Sequence, residues 1–171
     1  MIGLLIVAIL VAIFAYFAVR TYKELVELRN LRFAIVPSLE KALINRYNIM
    51  ESLIVYSKGF INDENRFVVK LLQARLVPLE ERAQIERELV DELRTLLEMI
   101  NEIPQLKNDK EFTTLRLQLA KAEKLIYEAE DAFNTRTYEY DKAVQSFPKN
   151  IIALLASFKL LNAFEVDFVT R

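Results

Sequence analysis

Apolar residues run unbroken at one end of this chain and recur every three or four positions along the rest. Met1–Val19 (MIGLLIVAILVAIFAYFAV) holds no charged side chain. At ~1.5 Å rise per residue, about 18 helical residues nearly cross a ~30 Å hydrocarbon core. Lipid admits only segments whose backbone groups pair internally, so such a run is helical there. The pattern predicts a transmembrane helix over Ile2–Val19, within an anchor segment of residues 1–21. A core helix apolar on all faces suits a domain this small poorly. A cleaved signal peptide needs a basic stretch ahead of its apolar run, where only Met1–Gly3 stand.

Beyond the anchor the pattern becomes periodic. Leu25, Leu28, Ile35, Leu39, Ala42, Ile49, Leu53, Tyr56 and Phe60 step by three or four, with Arg32 and Arg46 filling two gaps. This predicts a packed helix from about Tyr22 to Gly59, continuous with the anchor or kinked at Pro37. A second helical region, about Asn62 to Glu102, is interrupted at Pro78, where a new helix begins with Glu80 and Glu81 at its positive end. Asn101–Asp109 is a connection. A third helix follows, with Asn108 as its N-cap and Glu111 completing a capping box. Its stripe is Phe112, Leu115, Leu119, Ala122, Ile126, Ala129, Phe133, Tyr140, Ala143 and Phe147, interrupted by Arg136. Pro148 ends it, and a short helix of about Lys149–Phe158 carries Ile151, Ile152, Leu154 and Leu155. The fold class is all-α: an N-terminal transmembrane helix, then an elongated antiparallel bundle over residues 22–160. In the tail, residues 161–171, Phe164, Val166 and Phe168 share one side if extended. That tail either packs back on the bundle or extends onto a neighbour.

Charge sets orientation. Arg20, Lys23, Arg29 and Arg32 follow the apolar run and no cation precedes it. The positive-inside rule puts the N-terminus outside the cell membrane and the domain in the cytoplasm. Tyr16 and Tyr22 suit the inner aromatic belt, so Tyr16, Arg20, Tyr22, Lys23, Arg29 and Arg32 form the expected membrane interface. Glu24 and Glu27 lie among these cations. Ala8, Ala12 and Ala15 share a small-residue face that allows close approach of a second anchor. Together with Phe164, Val166 and Phe168 they are the candidate self-association surfaces.

Composition argues against chemistry. The chain has 171 residues, a formal net charge of −1, and neither cysteine nor histidine. The balance carries no bias towards nucleic acid. Without histidine or thiolate, the common zinc and iron ligands and the commonest general base are missing. A phosphate loop needs glycines, and the chain has two, Gly3 and Gly59. The acidic groups at Asp63–Glu64, Glu80–Glu81, Glu86–Glu88, Asp91–Glu92 and Glu128–Glu130–Asp131 read as solvated helix faces with local pairs among Glu80, Arg87, Asp91 and Arg94. The expectation is no enzyme, no cofactor, no metal, no nucleic acid and no small-molecule substrate. Arg46 and Arg136 are read as pairing or snorkelling at the bundle edge, or as interface contacts.

Thr21–Asn30 (TYKELVELRN) and Arg46–Phe60 (RYNIMESLIVYSKGF) resemble the opening of the LemA family. The likeness continues through Gln73–Arg75, Ile103–Lys107, Phe112–Leu115, Glu123, Ile126, Ala129, Phe133–Asn134, Tyr140, Phe147–Pro148, Asn150–Ala153, Phe158–Lys159 and Phe164–Glu165. The resemblance implies a short outer N-terminus, one membrane helix and a cytoplasmic helical bundle, and it implies no particular reaction. The chain departs from the family pattern at Asn48, Glu51, Val55, Asp63 and Glu130–Asp131, so surface charge differs more than the apolar stripes. A scaffold with changeable partners follows: the domain binds protein partners or copies of itself beside the bilayer, as a homo-oligomer. The alternative is a membrane-shaping or lipid-organising module that uses the juxtamembrane cations.

Overall fold

A computed structural model describes residues 1–61 and 64–169, with the backbone alone described for Glu64 and Glu80. The expectations at Asn62 and Asp63, and at the last two residues of the tail, lie outside the described residues. So do those that rest on the side chains of Glu64 and Glu80. The chain is all-α, with no strand among the described residues. The helices are α1 Ile2–Phe33, α2 Val36–Tyr56, α3 Glu64–Leu76, α4 Ala83–Glu102, α5 Pro104–Lys107, α6 Lys110–Gln145 and α7 Lys149–Leu155. They form two compact units: one of residues 1–35 and 133–163, the other of residues 36–132 and 164–171.

In the first unit, α1 runs without interruption from the apolar segment into packed helix. An 18-residue window in its apolar part has a mean hydropathy of 3.0 and none of it is buried. That length and composition are compatible with a membrane anchor. From Thr21 onward one face turns inward: Thr21, Leu25 and Arg32 are buried. Leu25 joins Tyr140, Ala143 and Val144 of α6 and Ala153 of α7 in a core onto which Leu28, Phe158 and Leu161 pack. α1 ends at Phe33, where the Ala34 N–H still bonds the Asn30 carbonyl at 2.9 Å. α2 then starts ahead of Pro37, which sits in its first turn, where a backbone N–H has no partner within the helix in any case. The expected single helix from Tyr22 to Gly59 is therefore two helices.

The second unit packs α2 against α3, α3 against α4, and α4 against α5. Its interior takes Leu39, Leu43, Met50 and Leu53 of α2, Phe67 and Ala74 of α3, and Val90, Leu93, Leu96 and Ile100 of α4. α2 is closed by Gly59 at φ 84°, a backbone conformation that a Cβ disfavours. Phe60, expected in the stripe, lies past this turn and is exposed.

Other boundaries shift for local reasons. Pro78 opens a single 3-10 turn, Leu79–Glu81, and α4 starts only at Ala83. The carbonyl of Val77 is taken up by the Arg82 guanidinium at 2.6 and 2.8 Å, so the break is filled by a side chain. α6 is capped by Asp109 and not by Asn108: Asp109 Oδ1 accepts the Glu111 N–H at 2.7 Å. In the α6 stripe the inward residue between Phe133 and Tyr140 is Thr137, four residues on from Phe133, and Arg136 lies at the surface paired with Glu139 at 2.7 Å. Phe147, past the end of α6, is exposed. So are Ile151, Leu154 and Leu155 of α7, which buries Ile152 and Ala153. α7 stops at Leu155 and not at Phe158. Ser157 adopts φ 58°, and the Phe158 N–H reaches back to the Ala153 carbonyl at 2.9 Å.

Candidate functional site

The first candidate surface is the bared part of α1. Tyr16, Arg20, Lys23 and Arg29 are exposed where the apolar segment gives way to packed helix. Tyr22 is half exposed, with its ring edge against Phe158 at 5.6 Å between centroids. Glu24 pairs with Lys149, which removes one of the two anions among these cations from the balance. Ala8, Ala12 and Ala15 are open along the helix.

Arg32 does not belong to this surface. It is buried, with its guanidinium 4.2 Å from the Phe133 ring centroid. Nε donates to Thr137 Oγ1 at 3.0 Å and a terminal nitrogen donates to the Asn162 carbonyl at 3.3 Å. Its place in the helical stripe, after Thr21, Leu25 and Leu28, outweighs its charge. The expected interface of four cations is reduced to Arg20, Lys23 and Arg29.

The second candidate lies inside the second unit. Arg46 and Tyr47 of α2 are both fully buried, and both bond Glu86 of α4, which is itself fully buried. Arg46 gives one terminal nitrogen to a Glu86 oxygen, and the Tyr47 hydroxyl donates to the other. The second terminal nitrogen of Arg46 donates to the Asp167 carbonyl at 3.3 Å, and Nε has no partner. Burial, then the charge of Glu86 and the hydrogen bond to it, push the Tyr47 phenol far above its ordinary value of 10.0. Arg46 thus pairs with a carboxylate as expected, but in the interior. Glu86 was expected on a solvated face. It stands in phase with Leu89, Val90, Leu93 and Ile100, and that phase is the signal that would have placed it inward. The group is closed to solvent and ties α2 to α4 and to the tail.

The tail closes over this unit. Phe164, Val166 and Phe168 are buried, so they are not the leftover apolar surface expected for self-association. Their backbone is held by side chains. Glu130 accepts the Val166 N–H at 3.1 Å and Glu123 accepts the Val169 N–H at 2.7 Å. Arg94 donates to the Phe168 carbonyl at 3.1 Å, and Phe168 meets the Tyr127 ring edge at 6.2 Å. A stretch with no helix or sheet to join finds its partners in ionic side chains, as buried backbone must.

The helices from α2 onward and this tail fall within a stretch that a family model recognises: the LemA family model matches residues 36–171. The chain belongs to the LemA family. Comparison with curated proteins finds no match. In this LemA-family chain the departures from the family pattern divide by role. Asn48 and Glu51 both accept from Arg75 at 3.0 Å on the surface, and Val55 is exposed. Glu130 instead holds the tail backbone, so that substitution is not a surface change.

Proposed function

We propose that this LemA-family chain is a single-pass, non-enzymatic scaffold that spans the cell membrane with its N-terminus outside and its helical domain in the cytoplasm. One observation carries the reading. α1 passes from an uncharged, uncovered segment into a packed face with no linker, so a membrane bearing the first half holds the packed part of the first unit beside its surface. A domain fixed in that way presents its surfaces to partners confined to the same plane, which raises their effective concentration without new contacts. The Ala8, Ala12, Ala15 face is the self-association surface, and an unidentified protein partner takes the domain. The absence of cysteine and histidine supports a role without chemistry.

The test has two parts. Protease added outside intact cells is expected to leave the domain uncut, and digestion there reverses the topology. Crosslinking of the full chain in membranes is expected to give oligomers that are lost on Ala12→Leu. A monomer in native membranes and mild detergent rejects self-assembly. A second reading, a lipid-organising module, is favoured by the exposure of Arg20, Lys23 and Arg29. Those cations are worth ~1 kcal/mol each against an anionic leaflet. Neutralising all three separates the readings, because a scaffold keeps its oligomers and a lipid organiser loses its effect on vesicle shape.

A further inference from the structure

The geometry points to a second element of this protein inside the bilayer: the turn between α6 and α7, with the outer face of α7, inserts into the leaflet next to the domain as a wedge beside α1. The inference rests on the anchor reading of α1 above. Its starting point is a cluster of bare apolar side chains. Phe147 and Leu154 are each 81% exposed, and Ile151 and Leu155 stand beside them uncovered. In water such a patch at the end of a helical hairpin is costly, and its occupant is set by where it lies.

α7 lies along the segment of α1 assigned to lipid. Pro148, Ile151 and Ile152 line a groove with Leu10, Ile13, Phe14 and Phe17. Further along, Ile152, Leu155 and Ala156 line another with Val19 and Tyr22. If Arg20 marks the edge of the hydrocarbon, Phe14 lies ~9 Å and Leu10 ~15 Å inside it at the helical rise. The turn at Pro148 is then the deep end of the wedge, and Ala156 returns it to the interface. The bare face of α7 continues the lipid-exposed surface of α1, so acyl chains are its occupant.

The polar groups of this segment are arranged for that place. Lys149 reaches Glu24, which lies beyond Arg20 on the domain side, as a snorkelling cation does. Much of the backbone is paired within the segment, with Asn150 N–H to Ser146 O at 2.8 Å, Ala156 N–H to Ile152 O at 2.9 Å, and Phe158 N–H to Ala153 O at 2.9 Å. Pro148 has no N–H to satisfy. Lipid demands this of any backbone at membrane depth. Ser146 Oγ is also turned inward, onto the Ala143 carbonyl at 2.9 Å. Gln145 and Asn150 are the exposed amides nearby, tolerable in the boundary layer that amphipathic interfacial helices occupy.

The chain has no cysteine, so a single introduced thiol labels one site. Full-length Phe147→Cys and Leu154→Cys, with Ile9→Cys and Tyr138→Cys as references, would carry a polarity-sensitive fluorophore. Each would be placed in vesicles of phosphatidylcholine and phosphatidylglycerol. The four native side chains are exposed, so labelling leaves the core intact. With acyl chains bearing a nitroxide, labels at 147 and 154 are expected to lose fluorescence as the label at 9 does, while that at 138 is quenched by aqueous iodide. If 9 is quenched by lipid but 147 and 154 behave like 138, the wedge is wrong and the anchor stands. If 147 and 154 are shielded from both quenchers, a protein covers them and the wedge is again wrong. If 9 itself escapes the lipid quencher, the anchor reading fails and takes this inference with it.

Discussion

Two arginines interrupt the apolar stripes of this protein, one in each unit, and the contacts that hold them differ: a buried carboxylate and a phenol surround one, aromatic rings line the other. Arg46 meets an anion: Glu86 neutralises it and Tyr47 completes the coordination of that carboxylate. Arg32 lies against the rings of Phe133 and Phe33 and donates to the Thr137 hydroxyl and the Asn162 carbonyl. A guanidinium is weakly hydrated and planar, so aromatic faces contribute more to holding it than they would to a lysine. The two sites share one feature. Each donates to a main-chain carbonyl of the C-terminal stretch, Asn162 for Arg32 and Asp167 for Arg46, and Arg94 adds Phe168. Cations, two of them buried, therefore fix the path of a tail that has no regular structure of its own.

The sharpest way to break this comparison is to remove the anion from one site. Glu86→Ala leaves Arg46 charged and buried, and is expected to cost about 3–5 kcal/mol in urea unfolding followed by circular dichroism. Arg46→Met combined with Glu86→Leu is expected to recover much of that loss, since an apolar pair carries no desolvation cost. If the double variant is as unstable as the single one, the pair is more than a matched charge.

Phe164→Ala comes next, at about 3 kcal/mol, because it empties a buried aromatic site under the tail. A negligible change there would mean that the tail is not closed over its unit in solution. Arg32→Met is expected to cost less, about 1–2 kcal/mol, since methionine keeps an apolar stem against the aromatic rings and the Thr137 and Asn162 acceptors it leaves are neutral. A loss equal to that of Glu86→Ala would show that the two arginines are not differently held.

A smaller effect appears in alkali. The Tyr47 phenol is raised in the fold, so its neutral form is favoured there. Its contribution is complete below the ordinary value near 10 and is lost as pH rises beyond it. Stability should fall above that pH, and Tyr47→Phe should flatten the fall. An unchanged slope would assign the alkaline loss to other groups. Smallest of all, Arg136→Ala should change stability by less than about 0.5 kcal/mol, because its pair with Glu139 is half exposed.

Much of the architecture was legible in the order of residues alone. The apolar run at Ile2–Val19, the stripes of α2 and α6, the stop at Pro148 and the family membership follow from composition, period and motif, which are local properties. The period placed Arg46 within an apolar stripe, though the expected carboxylate partner lies in the interior and not at the bundle edge. Charge was the poorer guide. Glu86 looked solvated in an acidic cluster, and Arg32 looked like a partner for lipid headgroups. Both are buried because a helix turns every side chain at its phase in the same direction, whatever its charge. The tail could not be placed from its own sequence. Phe164, Val166 and Phe168 offer the same alternation to a neighbour as to their own bundle. What decides between them is the set of donors and acceptors supplied by Arg46, Arg94, Glu123 and Glu130, from three helices far apart in the chain. Only the folded chain brings these together, and a backbone stretch without a ladder goes where its hydrogen bonds are met.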